Sequence, residues 1–105
     1  MELVLFRIHT REDIDQEEYE ATFARMLELV AEIPGFISIE GFSGADGSEL
    51  AVAQFESAAA IEEWRDHPEH VRTQQRGRDE FFESYEIRIS TMWKTYGWSR
   101  RGEQS

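Results

Sequence analysis

Apolar positions along this chain change their period from stretch to stretch, and each period predicts a different element. From Leu3 to His9 they fill both alternating sets, Leu3 and Leu5 on one and Val4, Phe6 and Ile8 on the other, with Arg7 breaking the first set. That is the pattern of a strand covered on both faces. Asp15 with Glu18 three residues on makes a capping box, and Ile14 and Tyr19 flank it at hydrophobic-staple spacing, so a helix starts there. Tyr19, Phe23, Met26, Leu27 and Val30 then recur as one apolar stripe until Pro34-Gly35 ends it, and the stripe is core. Phe36 to Phe42 and Leu50 to Phe55 read as a hairpin across the turn-forming run Ser43-Gly44-Ala45-Asp46-Gly47-Ser48. Ser57 can cap a short helix through Trp64, and Pro68 suits the first turn of a second one reaching about Gly77. Phe81 to Tyr96 alternates again, with Tyr85, Ile87, Ile89 and Trp93 on one side, which predicts a long final strand.

The order is strand, helix, strand, strand, helix pair, strand. It predicts an α+β fold, the ferredoxin-like split βαβ layout, with one antiparallel sheet and helices on a single face. Residues 1–98 are expected to form one domain and 99–105 a flexible tail. The sheet's other face needs a cover for Leu3, Leu5, Phe36 and Phe42, provided that Val4, Phe6, Ile37 and Ile39 face the helices. A second copy of the chain supplies it most simply, and the long last strand can cross to that partner and bury Tyr85, Trp93 and Trp98.

Charge narrows the partners. The formal net charge is −11, and residues 1–35 carry nine acids against three bases. Such a surface repels phosphate backbones and anionic membranes, so neither nucleic acid nor a membrane is an expected partner, and Arg100-Arg101 is too short a basic run to reverse this. A content of 40% hydrophobic residues supports a packed core rather than disorder. Cysteine is absent, which removes disulfides and thiolate chemistry. Met1 to Phe6 lacks the basic start of a signal peptide, and no apolar run is long enough to span a bilayer, so a cytoplasmic location is expected.

Candidate chemistry gathers between Ala58 and Tyr85, where Trp64 precedes Asp66-His67-Pro68-Glu69-His70. This predicts a ligand cavity near Trp64 and His70. His70 is the acid/base candidate, because an imidazole titrates near neutrality and can take a proton from a phenol or an activated carbon; it can equally pack against or cap a helix. His67 reads as a structural residue before Pro68. With Glu63 or Glu69 the two histidines lack a second ligand cluster, so no metal is expected. Trp64 is either a core anchor or the wall of an aromatic pocket. Arg7, Gln54 and Arg88 are polar positions on apolar strands and are the substrate-binding candidates, since a buried arginine needs a carboxylate or an anionic ligand. Pairing with Glu40 or Glu86 across subunits is the competing account.

Taken with the element order, Pro34-Gly35-Phe36, Phe55 with the Ala-rich turn into Trp64, and His67-Pro68-Glu69-His70 ahead of an aromatic strand, the chain resembles the antibiotic biosynthesis monooxygenase family of the dimeric α+β barrel superfamily over about residues 2–96. The resemblance implies a homodimer with a cavity between sheet and helices. In one branch it implies cofactor-independent oxidation of polyphenolic aromatics, in another haem breakdown. The cofactor-free branch lines its pocket with a tryptophan, matched by Trp64, an asparagine one turn earlier, where Ala60 stands, and a tyrosine, near which His70 stands. Haem breakdown is disfavoured, with Arg7 at the first-strand asparagine position and only Val71 to Arg78 where an axial ligand belongs. The expectation is therefore a cofactor-independent monooxygenase for a small aromatic or quinol-type compound, with His70 and Trp64 catalytic. A non-catalytic dimeric ligand-binding or stress-response protein is the alternative.

Overall fold

A computed structural model describes residues 1–101; residues 102–105 of the expected tail lie outside the described residues. The elements follow the predicted order: β1 (Glu2–Thr10), α1 (Gln16–Val30), β2 (Phe36–Ser43), β3 (Glu49–Phe55), α2 (Ala58–Arg65), α3 (Pro68–Arg76), a π-helical turn (Gly77–Phe81) and β4 (Phe82–Thr91). The strands make one antiparallel sheet in the order β2-β3-β1-β4, the ferredoxin-like arrangement.

Local chemistry sets the helix boundaries. The Asp15 side chain accepts from Glu18 N at 3.1 Å, satisfying a free amide of the first turn of α1. The Glu18 carboxylate reaches Arg76 on α3 at 2.9 Å and ties the two helices together. Ser57 Oγ accepts from Ala60 N at 3.2 Å and starts α2. The turn after α1 needs Gly35, whose φ of +92° lies where L side chains are strained. A Cβ there would sit 2.9 Å from Ala60 Cβ, so this glycine also lets the turn rest directly on α2.

Paired residues share a sheet face, so the register sorts the side chains. Val4 pairs with Ala53 and Phe6 with Ala51, which puts Val4, Phe6 and Ile8 on the helix side. The core there comprises Val30, Ala53, Phe55, Ala60 and Ile61, with Val4, Phe36, Ile39 and Trp64 packed against it. Leu29 is buried on α1 while Leu27 is exposed, so the helix is rotated slightly from the expected stripe.

Two expectations change. Phe36 pairs with Phe55 and joins the core, because the pairing shifts between Phe36 and Ser38; the extra residue moves Phe36 to the face opposite Phe42. The last strand ends at Thr91 rather than Tyr96, since Thr91 pairs with Glu2, where β1 begins, and no further strand remains to bond with. Trp93, Tyr96 and Trp98 follow, all largely exposed. The face away from the helices carries Leu3, Leu5, Leu50, Val52 and Phe42.

Candidate active site

The end of α2 and the start of α3 bring Trp64 and His70 together. Their rings stack with centroids 3.9 Å apart and 12° between planes. The last carbonyls of a helix lack intrahelical partners, and here the Trp64 carbonyl accepts both from His67 N at 3.2 Å and from the His70 ring at 2.9 Å. A carbonyl can only accept, so His70 Nδ1 carries the hydrogen and Nε2 keeps its lone pair. Gln74, one turn on, places its amide nitrogen 3.4 Å from that Nε2. Burial pushes His70 below the ordinary imidazole range, His67 adds to this, and the bond to Trp64 opposes it. At neutral pH the ring is thus a neutral base with its basic nitrogen fixed.

His67 has the opposite tautomer. Its Nδ1 accepts from Glu69 N at 3.2 Å and caps α3, which is the structural role read from its place before Pro68. Glu69 in turn takes a two-pronged contact from Arg25 of α1, at 2.8 and 3.2 Å, which holds the carboxyl below its usual range and anchors the helix bearing His70.

Arg7, Gln54 and Arg88 are not gathered with Trp64 and His70. Leu3 pairs with Gln54, Arg7 with Leu50 and Arg88 with Leu5, so all three point from the sheet face away from the helices. Strand parity is the reason: each is an odd number of positions from a helix-facing neighbour. Arg7 Nη2 binds Asp46 at 2.8 Å and Arg88 Nε binds Glu86 at 2.8 Å, both in solvent. Asp46 also accepts from Ser48 Oγ at 2.6 Å and Ser48 N at 3.0 Å, bonds that hold its carboxyl far below the carboxylate range, with Arg7 adding to them.

On the helix side, β4 presents Tyr85, Ile87 and Ile89, which are 38%, 47% and 57% exposed although they share a face with Val4, Phe6 and Ile8. Beside them Phe6, Phe82 and Tyr85 form an edge-to-face cluster, and Tyr85 Oη accepts from Arg78 Nε at 3.0 Å. The alternation had grouped Tyr85 with Ile87 and Ile89; that this side faces the helices depends on pairing with β1, which the alternation does not specify. Gln74 was not singled out in the sequence, although its spacing of four after His70 puts it on the same helix face. Elsewhere, one cavity of about 170 Å³ lies between α1 and the β2–β3 hairpin and another is lined by Arg11, Asp15, Glu18 and Arg76; neither of these borders Trp64 or His70. Among the described residues no group of three His, Asp or Glu side chains is placed to hold a metal ion, and no helix is long and apolar enough to cross a membrane.

Ala60 stands where the family pattern puts an asparagine. It is 5% exposed and faces Gly35, so this position belongs to the core.

Residues 1–76 match the family model described as antibiotic biosynthesis monooxygenase. The chain is 39% identical over 72 residues to the uncharacterized protein YqjZ of Bacillus subtilis, a match spanning 69% of this chain and 63% of that relative. Among solved structures, Rv0793 from Mycobacterium tuberculosis superposes with a TM-score of 0.78 at 17% identity, covering 90% of this chain and 96% of that one. SnoaB, a cofactor-independent oxygenase from Streptomyces nogalater, superposes with a TM-score of 0.74 at 20% identity, covering 90% and 94%.

Proposed function

The chain belongs to the antibiotic biosynthesis monooxygenase family, and from that premise we propose that it is a cofactor-independent monooxygenase acting on a small aromatic or quinol-type compound, working as a homodimer in the cytoplasm. The observation that carries this reading is the Trp64–His70 stack, with the imidazole neutral and its basic Nε2 defined. The likeness to a cofactor-independent oxygenase supports it.

In the proposed reaction the aromatic ring of the substrate lies against the Trp64–His70 stack, within reach of the imidazole. His70 Nε2 removes a proton from a phenolic hydroxyl or from the activated ring carbon para to it, and Gln74 yields its place to the substrate. The resulting carbanion is electron-rich enough to reduce dioxygen. A new carbon–oxygen bond forms as a hydroperoxide, whose O–O bond then breaks with loss of water. The ring carbon para to the oxygen, a CH₂ in the keto tautomer, becomes C=O, one oxygen atom enters the product and the other leaves in water, so dioxygen is the only oxidant required.

Arg7, Gln54 and Arg88, first grouped with the substrate, fit better as groups facing a second subunit, beside Leu3, Leu5, Leu50 and Val52. Trp93, Tyr96 and Trp98 give that subunit further apolar surface to cover.

The test is oxygen uptake with a panel of anthrones and hydroquinones. The expected result is uptake by the wild type that falls by about a hundredfold or more in His70→Ala, the ordinary contribution of a general base. Uptake that persists unchanged in that variant would remove His70 from the chemistry. Ala60 favours a second reading, in which the same surface binds an aromatic metabolite without turnover, because position 60 offers no amide to orient a reacting hydroxyl. Saturable binding with no oxygen uptake across the panel would select it.

A further inference from the structure

Away from Trp64 and His70, under the middle of α1, a cavity of about 170 Å³ opens between Phe23 and the β2–β3 hairpin. Its floor is the cross-strand pair Gly41 and Ala51, the two smallest side chains the sheet could offer there. A Cβ built on Gly41 meets nothing within 4 Å, so the space above it is open. Ile8 and Phe23 give apolar walls, and Glu49 stands at the rim. Glu49 Oε2 accepts from the Tyr19 hydroxyl at 3.3 Å, and among the described residues no Lys, Arg or His nitrogen lies within salt-bridge distance of it. Burial, and then the Glu49 charge, raise the Tyr19 phenol above its ordinary value, so it remains a donor to the carboxylate at any physiological pH.

We infer that this cavity is a second ligand site, selective for a small primary ammonium with a short apolar or single-ring tail. The recess is close to the ~150 Å³ that holds one benzene ring in a protein interior, which sets the tail. A half-buried carboxylate with one hydrogen bond and no cationic neighbour sets the head: it gains from a charged N–H donor and repels a carboxylate or phosphate. The net charge of −11 also draws cations toward the surface. Tyr19 is a positioning residue, since its hydroxyl fixes one carboxylate oxygen and leaves the other to the ligand. Glycine at 41 determines how large a tail fits, because its missing side chain is the space itself.

The site shares no residue with the Trp64–His70 pair, so the two readings succeed or fail separately. The experiment is a protein-observed NMR titration of the full chain with benzylamine, benzyl alcohol and benzoate. Benzylamine is expected to bind saturably, with the largest shifts at Ile8, Gly41 and Ala51, and benzoate to leave these unmoved. Gly41→Val, which fills the recess in a backbone conformation any residue adopts, is expected to abolish those shifts. Glu49→Gln is expected to weaken benzylamine about tenfold, the worth of one charged hydrogen bond, while benzyl alcohol binds both proteins alike. Unsaturated or scattered shifts with benzylamine overturn the proposal. So does equal binding of benzylamine by the wild type and either variant.

Discussion

Gly35→Ala is the substitution whose cost the geometry states most directly, and its effect divides into two separable parts. The φ of +92° places the new side chain in a region that costs a non-glycine residue about 1–2 kcal/mol. Its Cβ would lie 2.9 Å from Ala60 Cβ, a contact of the overpacking kind that costs about 1–3 kcal/mol. Neither strain relaxes easily, because Gly35 O is held by Glu56 N at 2.7 Å and Ala60 is in the core. Together they predict a loss of roughly 2–5 kcal/mol, a large share of the ~5–15 kcal/mol that stabilises a domain. Ala60→Gly deletes the opposing methyl and relieves the contact but not the backbone strain. In a double-mutant cycle followed by urea unfolding and far-UV circular dichroism, the pair should therefore couple favourably by about 1–3 kcal/mol. A Gly35→Ala protein with an unchanged midpoint, or a cycle with no coupling, would refute the account of how the turn seats α2 and with it Trp64.

Stability should fall on acidification. The unfolded chain takes up a proton on His70 near ~6.5, whereas the folded value is lowered by burial, so this contribution is complete above that pH and is lost as pH falls through the window down to the folded value. Urea midpoints between about pH 7.5 and 5 should drop further for the wild type than for His70→Gln; equal drops would count against a buried neutral ring. Tyr19→Phe should cost about 1.5–3 kcal/mol, the worth of a hydrogen bond to the charged Glu49 carboxylate, read as a shifted midpoint at constant slope. A loss above that range would mean Tyr19 matters through packing. Leu5→Lys places a charge at the centre of the uncovered sheet face and should convert a dimer to monomer in light scattering, with far-UV dichroism unchanged. A wild type that is already monomeric would refute the proposed assembly.

Features that depend on neighbouring residues were legible in the sequence. Asp15 with Glu18, Ser57, Pro68 and the Ala58–Arg65 helix all act within one turn, and local capping chemistry determines them. Features that depend on pairing were not. Phe36 changed face through a single extra residue in β2, which alternation alone does not reveal. Arg7, Gln54 and Arg88 looked like the lining of a cavity because each is a polar interruption, yet whether such a position faces the helices rests on parity across three strands. The reach of β4 depended on where β1 begins rather than on its own composition, which keeps alternating to Tyr96. Trp64 and His70 were legible as neighbours because they lie only six positions apart. The cavity above Gly41 was not, since its floor requires Gly41 and Ala51 to be opposite one another.

The sheet order has a consequence for the timing of folding. β1 lies between β3 and β4, and its pairing of Glu2 with Thr91 closes a span of 89 residues. β1 emerges before the other three strands of this sheet and can bond along one edge once the hairpin is out, and its second edge stays open until β4 arrives. Such distant pairing slows folding and leaves an unpaired apolar strand exposed for longest. Arg7, set among Leu3, Val4, Leu5, Phe6 and Ile8, puts a charge on that waiting strand and would discourage two nascent chains from pairing there.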